Sequence, residues 1–248
     1  MISALAITYN EEKNVERYIK SLSFADEIII VDSFSTDNTV NLAKQLGAKV
    51  VQRKFDDFST QKNYAISLAN NDWVTFFDLD EIVTPELAEE ITNTIKTNPK
   101  NEAFKVKRNF YFMGKRLKYS GFQTDYVVRL FNKSNCKYNG KLVHEAIETA
   151  STIKKLKHKV DHYTYKSFDD YNLKLTKYSK LKAEELYNKN TRPNLYHFLF
   201  RPWYRFMNQY FLRLGFLDGK EGFIVSYLSG FMVFKRYIQL WTMYRNIE

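Results

Sequence analysis

The chain has 248 residues, enough for one large or two small domains with a substantial buried core. Hydrophobic residues make up 44% and aromatic residues 17%, which excludes a disordered protein. Lysine and arginine number 38 against 28 acidic residues, and the net charge of +10 favours a polyanionic partner: nucleic acid, an anionic membrane surface or a phosphorylated substrate. The only cysteine, Cys136, excludes an internal disulfide and fits a reducing compartment.

The first part of the chain alternates short apolar runs with helical patterns. Strands are predicted at residues 2–8, 27–32, 48–52 and 73–77. Between them lie three helical patterns, the first capped by Asn10 and the second ending at Gly47. Strands that alternate with helices of about ten residues indicate βαβ units and an open, mostly parallel sheet flanked by helices.

Three polar clusters follow predicted strands at their carboxyl ends. They are Thr8, Tyr9, Asn10 and Glu11; Asp32 and Ser33; and Asp78, Leu79 and Asp80. In open α/β sheets the carboxyl ends of the strands form the ligand-binding edge. We therefore expect these clusters to share one site.

The acidic cluster belongs to the stretch from Phe76 to Glu81, around which the site is predicted to be organised. If the strand continues through it, Asp78 and Asp80 point the same way. Two carboxylates that close repel each other unless positive charge lies between them. Oxygen ligands of this kind favour Mg²⁺ or Mn²⁺.

Beyond residue 84 the pattern changes. Thr84 and Pro85 begin a predicted helix that ends near Thr97, and strands are predicted at 103–112 and 126–131. Residues 105–118 contain six basic side chains and no acidic one. This run is either a solvated face or an electropositive rim for an anionic substrate.

The C-terminal part is predicted to be helical, with domains at 1–165 and 166–248. Residues 169–187 form one helical pattern, and Trp203 to Leu214 keep an amphipathic spacing with basic flanks. The weakly polar run 222–234 is too short to span a bilayer, which takes about 20 residues. These helices either lie in a membrane interface or pack on the first domain.

Several motifs, in this order, resemble those of family 2 glycosyltransferases with the Rossmann-like GT-A fold. They are Ala6 to Glu11, Val31 to Asp37, Gln61 to Asn63, and Phe77 to Glu81. More narrowly, Arg129 to Phe131, Val143 to Glu145 and Gly215 to Gly219 resemble the lipopolysaccharide-core β-1,4-glucosyltransferase subgroup. One departure is Phe34, where the family usually has glycine, so the detailed shape of the nucleotide pocket is open.

The resemblance implies an inverting, metal-dependent transfer of a sugar, glucose in the narrower subgroup, from a UDP-sugar to a lipopolysaccharide core or other cell-envelope glycan or glycolipid. A cation held by Asp78 and Asp80 acts as Lewis acid on the leaving diphosphate. The implied donor-site residues are Thr8, Asn10 and Glu11 for the nucleoside, Asp32 for the uracil or ribose, Lys62 in the same pocket, and Arg129 on a phosphate.

The resemblance also suggests the base and a further metal ligand. Glu145 is the expected general base, with His144 as the alternative base or an orienting group. His162 matches a position at which many GT-A enzymes supply a metal-binding histidine.

Two other function classes remain open at this stage. A basic nucleic-acid-binding protein fits the net charge, although carboxylates at the ligand edge disfavour it. A nucleotidyltransferase could use the same acids to hold two metals. The favoured hypothesis is a cytoplasmic enzyme, peripheral on the inner face of the cell membrane, that binds an anionic membrane surface and no nucleic acid.

Overall fold

The computed structural model describes residues 1–97, 103–140, 146–150, 152–165 and 167–247. The chain forms two compact units, residues 1–108 with 126–162 and residues 109–125 with 163–248. Compact units are not by themselves functional domains. The division into a catalytic domain, 1–165, and a C-terminal region, 166–248, therefore stays a prediction.

Strands and helices alternate through the first half of the chain and separate in the second. The strands are β1 (Ile2–Thr8), β2 (Glu27–Asp32), β3 (Lys49–Gln52), β4 (Trp73–Phe76), β5 (Glu81–Val83), β6 (Ala103–Phe112), β7 (Lys115–Leu117), β8 (Tyr126–Asn132), β9 (Cys136–Tyr138), β10 (Ile147–Thr149) and β11 (Ile153–Tyr165). The helices are α1 (Glu12–Ser21), α2 (Thr39–Gln45), α3 (Phe58–Ser67), α4 (Pro85–Lys96), α5 (Phe168–Asn188), α6 (Leu195–Met207) and α7 (Gly219–Tyr244).

The first unit is built on a mixed sheet with the strand order β3-β2-β1-β4-β8-β6-β11-β5. β3, β2, β1 and β4 are parallel, as their βαβ connections require. The pairings of β8 with β4, of β6 with β8 and of β11 with β5 are antiparallel. The prediction of an α/β fold with a helix-flanked sheet is confirmed, and among the described pairings those of β3, β2, β1 and β4 are the parallel ones.

Helices cover both faces of this sheet. On one face, α1, α2 and α4 bury a core that includes Tyr18, Ala43 and Leu87, all 0% exposed. On the other face, α3 packs Ala65 and Ile66 against Leu5 and other buried strand residues. The parallel strands are therefore buried on both sides, which explains their continuous apolar sequence.

Two turns at the ligand edge differ from the sequence-based expectation. Asn10 does not cap α1: it adopts φ +54°, and the N-cap residue is Glu11. The Asn10 side chain instead accepts a hydrogen bond from the Thr36 N–H at 2.8 Å. Phe34 adopts φ +61°, the left-handed conformation that glycine takes without strain. The backbone thus keeps a glycine-type turn although the residue is phenylalanine.

The second unit is largely helical. Its core joins Phe110 and Phe112 of β6 to Tyr171 and Leu175 of α5 and Val225 of α7. The prediction of one amphipathic helix from Trp203 to Leu214 is wrong in its bounds, because α6 begins at Leu195 and gives way to a π-helical turn at Asn208–Leu212. α7 continues well beyond the run that the sequence indicated.

The motif from Gly215 to Gly219 has a structural role in the second unit. The buried Asp218 carboxylate accepts hydrogen bonds from the backbone N–H groups of Lys118 and Tyr119, both at 2.9 Å. Gly222 lies so close to the chain before it that a Cβ atom there would stand 2.0 Å from the Gly215 carbonyl oxygen. Within the described residues, no helix is long and apolar enough to cross a membrane.

Candidate functional site

Polar residues at the carboxyl ends of three parallel strands lie at one edge of the sheet in the first unit. Thr8, at the end of β1, is the register partner of Asp32 at the end of β2. Asp78 follows β4, which pairs with β1 in the same direction. The structure therefore places the three polar clusters together, at the edge where open α/β sheets bind their ligands.

A cavity of about 370 Å³ opens beside the end of β1. Its lining consists of Ile7, Thr8, Tyr9, Ser33, Phe55 and Phe58. Phe55 and Phe58 pack edge to face with ring centroids 5.1 Å apart, and they remain 41% and 44% exposed. Among the residues that the structure describes, the buried Thr8 hydroxyl oxygen is one of the polar atoms without a hydrogen-bond partner. An aromatic wall beside such an atom suits a planar, polar-edged ligand such as a nucleobase.

Phe55 and Phe58 were not among the predicted site residues. They follow β3, Phe55 in the loop and Phe58 as the first residue of α3, and β3 ends at the same sheet edge as β1 and β2. The sequence therefore did contain an indication of this cavity, in the form of two aromatic residues after a predicted parallel strand. It was missed because the prediction weighed only polar residues at strand ends.

Asn10, Glu11 and Asp32 hold the loops of this edge in place. Asp32 is 0% exposed and accepts hydrogen bonds from the Ser35 N–H at 2.9 Å and from Gln52 Nε2 at 3.1 Å. The Glu11 N–H donates to Thr39 Oγ1 at 2.8 Å. The Glu11 bond and the Asn10–Thr36 bond join the turn after β1 to the turn after β2, and Tyr9 and Ser33 of these turns line the cavity.

Asp78 is neutralised by cations of the protein itself. Arg129 Nη2 lies 2.6 Å from Asp78 Oδ2, and Lys62 Nζ lies 3.7 Å from Oδ1. Burial alone would raise the pKa of Asp78, but the charges of Arg129 and Lys62 outweigh it and hold that pKa well below its usual range. The carboxylate therefore stays ionised throughout the physiological pH range.

Glu81 completes this ion network and was not predicted as a site residue. It is 0% exposed, and its Oε1 accepts a hydrogen bond from Arg129 Nη2 at 2.8 Å. Arg129 Nε lies 2.8 Å from the other oxygen, a charge contact without hydrogen-bond alignment, and the Asp78 N–H donates to that oxygen at 3.1 Å. Burial lowers the pKa of Arg129, but Asp78 and Glu81 together hold it well above its usual value. One guanidinium is thus fixed between two carboxylates.

Asp80 and His162 come together from distant parts of the chain. β11 pairs with β5 so that His162 stands opposite Glu81, and His162 Nε2 lies 3.5 Å from Asp80 Oδ2. A carboxylate oxygen and an imidazole nitrogen fit a divalent cation such as Mn²⁺. Among the described residues, no three acidic, histidine or cysteine side chains are grouped closely enough to hold a metal. Two of the three predicted metal ligands therefore meet, and Asp78 faces cations instead.

His144 and Glu145 lie outside the described residues, which resume at Ala146. Their roles as base or orienting group therefore stay predictions. Lys62, on α3, is 5% exposed, and its ammonium group lies 5.1 Å from the centre of the Tyr138 ring. It reaches the acidic cluster at Asp78, one strand away from the aromatic cavity at β1.

A parallel half-sheet with an aromatic cavity and an acidic loop at its carboxyl edge defines an α/β protein with a ligand site at the strand ends. The chain belongs to glycosyl transferase family 2, whose family model matches residues 3–159. It is accordingly a glycosyltransferase, and its fold is GT-A-like.

Relatives match over nearly the whole chain. An uncharacterized glycosyltransferase of Rickettsia conorii is 30% identical over 96% of this chain and 89% of its own length. A lipopolysaccharide core biosynthesis glycosyltransferase, LpsC of Rhizobium meliloti, is 25% identical over 95% of this chain and 93% of its own. Among solved structures, S. aureus TarS superimposes with a TM-score of 0.50 at 17% identity, covering 87% of this chain and 45% of that one. At that identity the match concerns the fold.

Proposed function

We propose that this glycosyltransferase moves a sugar from a UDP-sugar to a lipopolysaccharide core or another cell-envelope glycan, with inversion and with the help of a divalent cation. The observation that carries the proposal is the aromatic cavity at Thr8 beside the acidic cluster at Asp78 and Asp80. The similarity to LpsC, which is named for lipopolysaccharide core biosynthesis, supports the acceptor class.

The donor would lie along the carboxyl edge of the sheet. Its uracil ring would stack against Phe55 and Phe58, with the Thr8 hydroxyl as a polar partner. Its diphosphate would then reach the acidic cluster, where Lys62 and Arg129 offer positive charge. A guanidinium already held by Glu81 presents its donors without further loss of side-chain freedom.

The divalent cation, Mg²⁺ or Mn²⁺, would be held by Asp80 and His162, the two facing donors. When bound, it supplies Lewis-acid stabilisation of the charge that develops on the leaving diphosphate. Asp78, paired with Arg129, would orient the donor at the same edge.

The donor proposal is tested by UDP-sugar hydrolysis and UDP binding. We expect hydrolysis to stop with EDTA and to resume with Mn²⁺, and we expect Asp80→Ala to remove this metal response. Asp26→Ala is the matched control, because Asp26 binds the Ile2 N–H at the opposite end of β1. If Asp80→Ala kept the full response to EDTA and Mn²⁺, the metal assignment would be wrong.

The proton of the acceptor hydroxyl would be taken by Glu145, with His144 as the alternative base. Glu145→Gln is expected to abolish transfer and leave UDP binding unchanged. His144→Gln distinguishes between the two candidate bases. Only the variant that lacks the base should lose transfer without a change in donor affinity. Loss of UDP binding in Glu145→Gln would mark this residue as structural.

We further propose that the second unit docks on an anionic membrane surface. Six residues of α6, spaced one and then three apart, form a solvent-facing apolar stripe. They are Leu195, Tyr196, Leu199, Phe200, Trp203 and Tyr204, each between 57% and 76% exposed. The exposed cation Arg201 lies on this helix, and the exposed Arg213 follows the π-helical turn after it. Exposed apolar patches of this kind mark interaction sites, and the aromatic and basic composition suits the lipid interface.

Vesicle sedimentation tests the docking proposal. We expect binding to vesicles of phosphatidylcholine with phosphatidylglycerol and much weaker binding to phosphatidylcholine alone. The double variant Leu199→Gln with Phe200→Gln should lose at least about tenfold in partitioning, because each buried side chain contributes about 1.5–3 kcal/mol. Leu173→Gln is the matched control, since Leu173 is 71% exposed on α5. Equal partitioning of both variants would remove the proposal.

A further inference from the structure

A second cavity in the first unit, of about 440 Å³, reaches Asp78 from the antiparallel part of the sheet. Among the described residues that line it, four are cationic and one is anionic, a formal excess of three positive charges. The cations are Lys62, Lys105, Arg108 and Arg129. Arg129 and Lys62 already face Asp78, and Arg108 Nη1 lies 3.5 Å from Glu81 Oε1, so the remaining excess is concentrated at Lys105 on β6.

Three lysine ammonium groups lie near the ring of Tyr126, which lines the cavity together with Lys105. Lys107 stands opposite Tyr126 in the β6–β8 register, and Lys105 is two residues away on the same face. The ammonium nitrogens of Lys105, Lys107 and Lys155 lie 6.0, 5.9 and 5.1 Å from the Tyr126 ring centre. The ring face attracts each cation, but the three charges repel one another. An oxyanion among them would remove that repulsion.

The location separates this cluster from the nucleotide end of the site. In the strand order β1-β4-β8-β6-β11, the lysines lie on β6 and β11, three and four strands from β1. Strands are spaced by about 4.8 Å, so β6 lies about 14 Å from β1 across the sheet. Asp78, after β4, lies between the two. The cluster is therefore on the side where the acceptor, rather than the nucleotide, must approach.

The basic run from 105 to 118 thus divides into two parts. Lys105 and Lys107 belong to the first unit and join Lys155 around Tyr126. Lys115 belongs to the second unit, where its ammonium group is 2.6 Å from Glu221 Oε2. The sequence left open whether this run is a solvated face or a rim for an anionic substrate. A rim for an anionic substrate fits only Lys105 and Lys107.

We propose that the cluster of Lys105, Lys107 and Lys155 binds an oxyanion, a phosphate or carboxylate group, that the acceptor carries. The inference rests on the proposed function for the identity of the acceptor, and the anion site itself stands on the cavity and the lysines. It makes the enzyme selective for acceptors with an acidic group close to the hydroxyl that receives the sugar.

Inorganic phosphate is the probe, titrated by calorimetry at constant ionic strength with saturating UDP present. UDP occupies the donor diphosphate position, so any remaining phosphate binding reports the second site. We expect Lys105→Gln and Lys155→Gln each to weaken phosphate binding about fivefold, the effect of one lost charged contact, and to leave the UDP dissociation constant unchanged. Lys49→Gln, on the exposed edge strand β3, is the matched control with the same charge change.

Two results would overturn the inference. One is phosphate binding that vanishes once UDP is saturating, since the anion site would then be the donor's own. The other is that Lys105→Gln and Lys155→Gln bind phosphate as tightly as Lys49→Gln does. A wild-type protein that binds no UDP would reject the donor proposal instead, and the same lysine variants, titrated without UDP, would still decide the anion site.

Discussion

Glu81→Gln is expected to destabilise the protein strongly, because it removes one charge from an ion network in which Glu81 and Arg129 are buried. Glu81 is 0% exposed, and both its oxygens lie 2.8 Å from nitrogen atoms of Arg129. Removing one partner of a buried ion pair costs about 3–5 kcal/mol. Since Arg129 keeps Asp78 as a counterion and glutamine keeps one acceptor oxygen, we expect the lower end, about 3 kcal/mol.

That loss corresponds to about a hundredfold change in the folding equilibrium and, for a chain of this length, to a melting temperature lower by about 6–12 °C. Urea unfolding followed by circular dichroism measures the free energy of unfolding. Glu16→Gln is the control: Glu16 pairs with Lys20 on the surface of α1, and no measurable change is expected there. A loss below about 1 kcal/mol in Glu81→Gln would refute the argument that this network is held by buried charge.

Three further predictions concern other parts of the molecule. Asp78→Asn should make the free energy of unfolding depend less on pH below about 4. The pKa of Asp78 is depressed in the folded state, so its stabilising contribution is complete above the unfolded pKa of about 3.9 and is lost as pH falls through the folded pKa. Unfolding titrations from pH 7 downward measure this difference. Burial raises the pKa of Tyr171 to about 12, so stability falls as pH rises from about 10 through that value, and Tyr171→Phe should remain more stable in alkaline unfolding experiments. Gly222→Ala should cost about 3 kcal/mol or more in urea unfolding, because its Cβ would stand 2.0 Å from the Gly215 carbonyl oxygen, whereas Lys220→Ala at an exposed position of α7 should change little.

The parallel half of the fold was predictable because its strands carry a strong signal. Glu27–Asp32 is continuous and apolar on both faces, and the predicted bounds agree with the structure. The antiparallel half carries a weaker sequence signal. Its strands β5, β7, β9 and β10 have three residues each, too few to show an alternating pattern. Their partners are set by contacts that no local window contains.

The C-terminal helices were harder for a different physical reason. Sequence periodicity identifies the apolar face of a helix and assumes that this face is buried. On α6, apolar side chains such as Leu199 and Phe200 face solvent, at 61% and 60% exposure. The spacing rule therefore selected a stripe from Trp203 onward and missed the first two turns. Periodicity alone cannot distinguish an apolar helix face that is exposed to solvent from one that is buried in the core.

Within the site, the acids were predictable and their partners were not. Asp78 and Asp80 follow a clear strand, but Arg129 reaches Asp78 across 51 residues of sequence. His162 was proposed only through the family resemblance, and the antiparallel pairing of β11 with β5 places it beside Asp80. Glu81 was part of the same acidic stretch. Only its complete burial distinguishes it from a solvated neighbour.

The charges around Asp78 and Asp80 differ from those that the acidic stretch of the sequence predicts. Two nearby carboxylates require positive charge between or beside them, and this requirement predicted a metal shared by Asp78 and Asp80. At Asp78 the protein supplies the charge itself, through Arg129 and Lys62. The divalent cation proposed above would therefore be held at Asp80, which faces a histidine that can also act as a metal ligand. Under this proposal, stability at low pH depends on Asp78 and the response to metal depends on Asp80, so that the two acids of one motif have different roles.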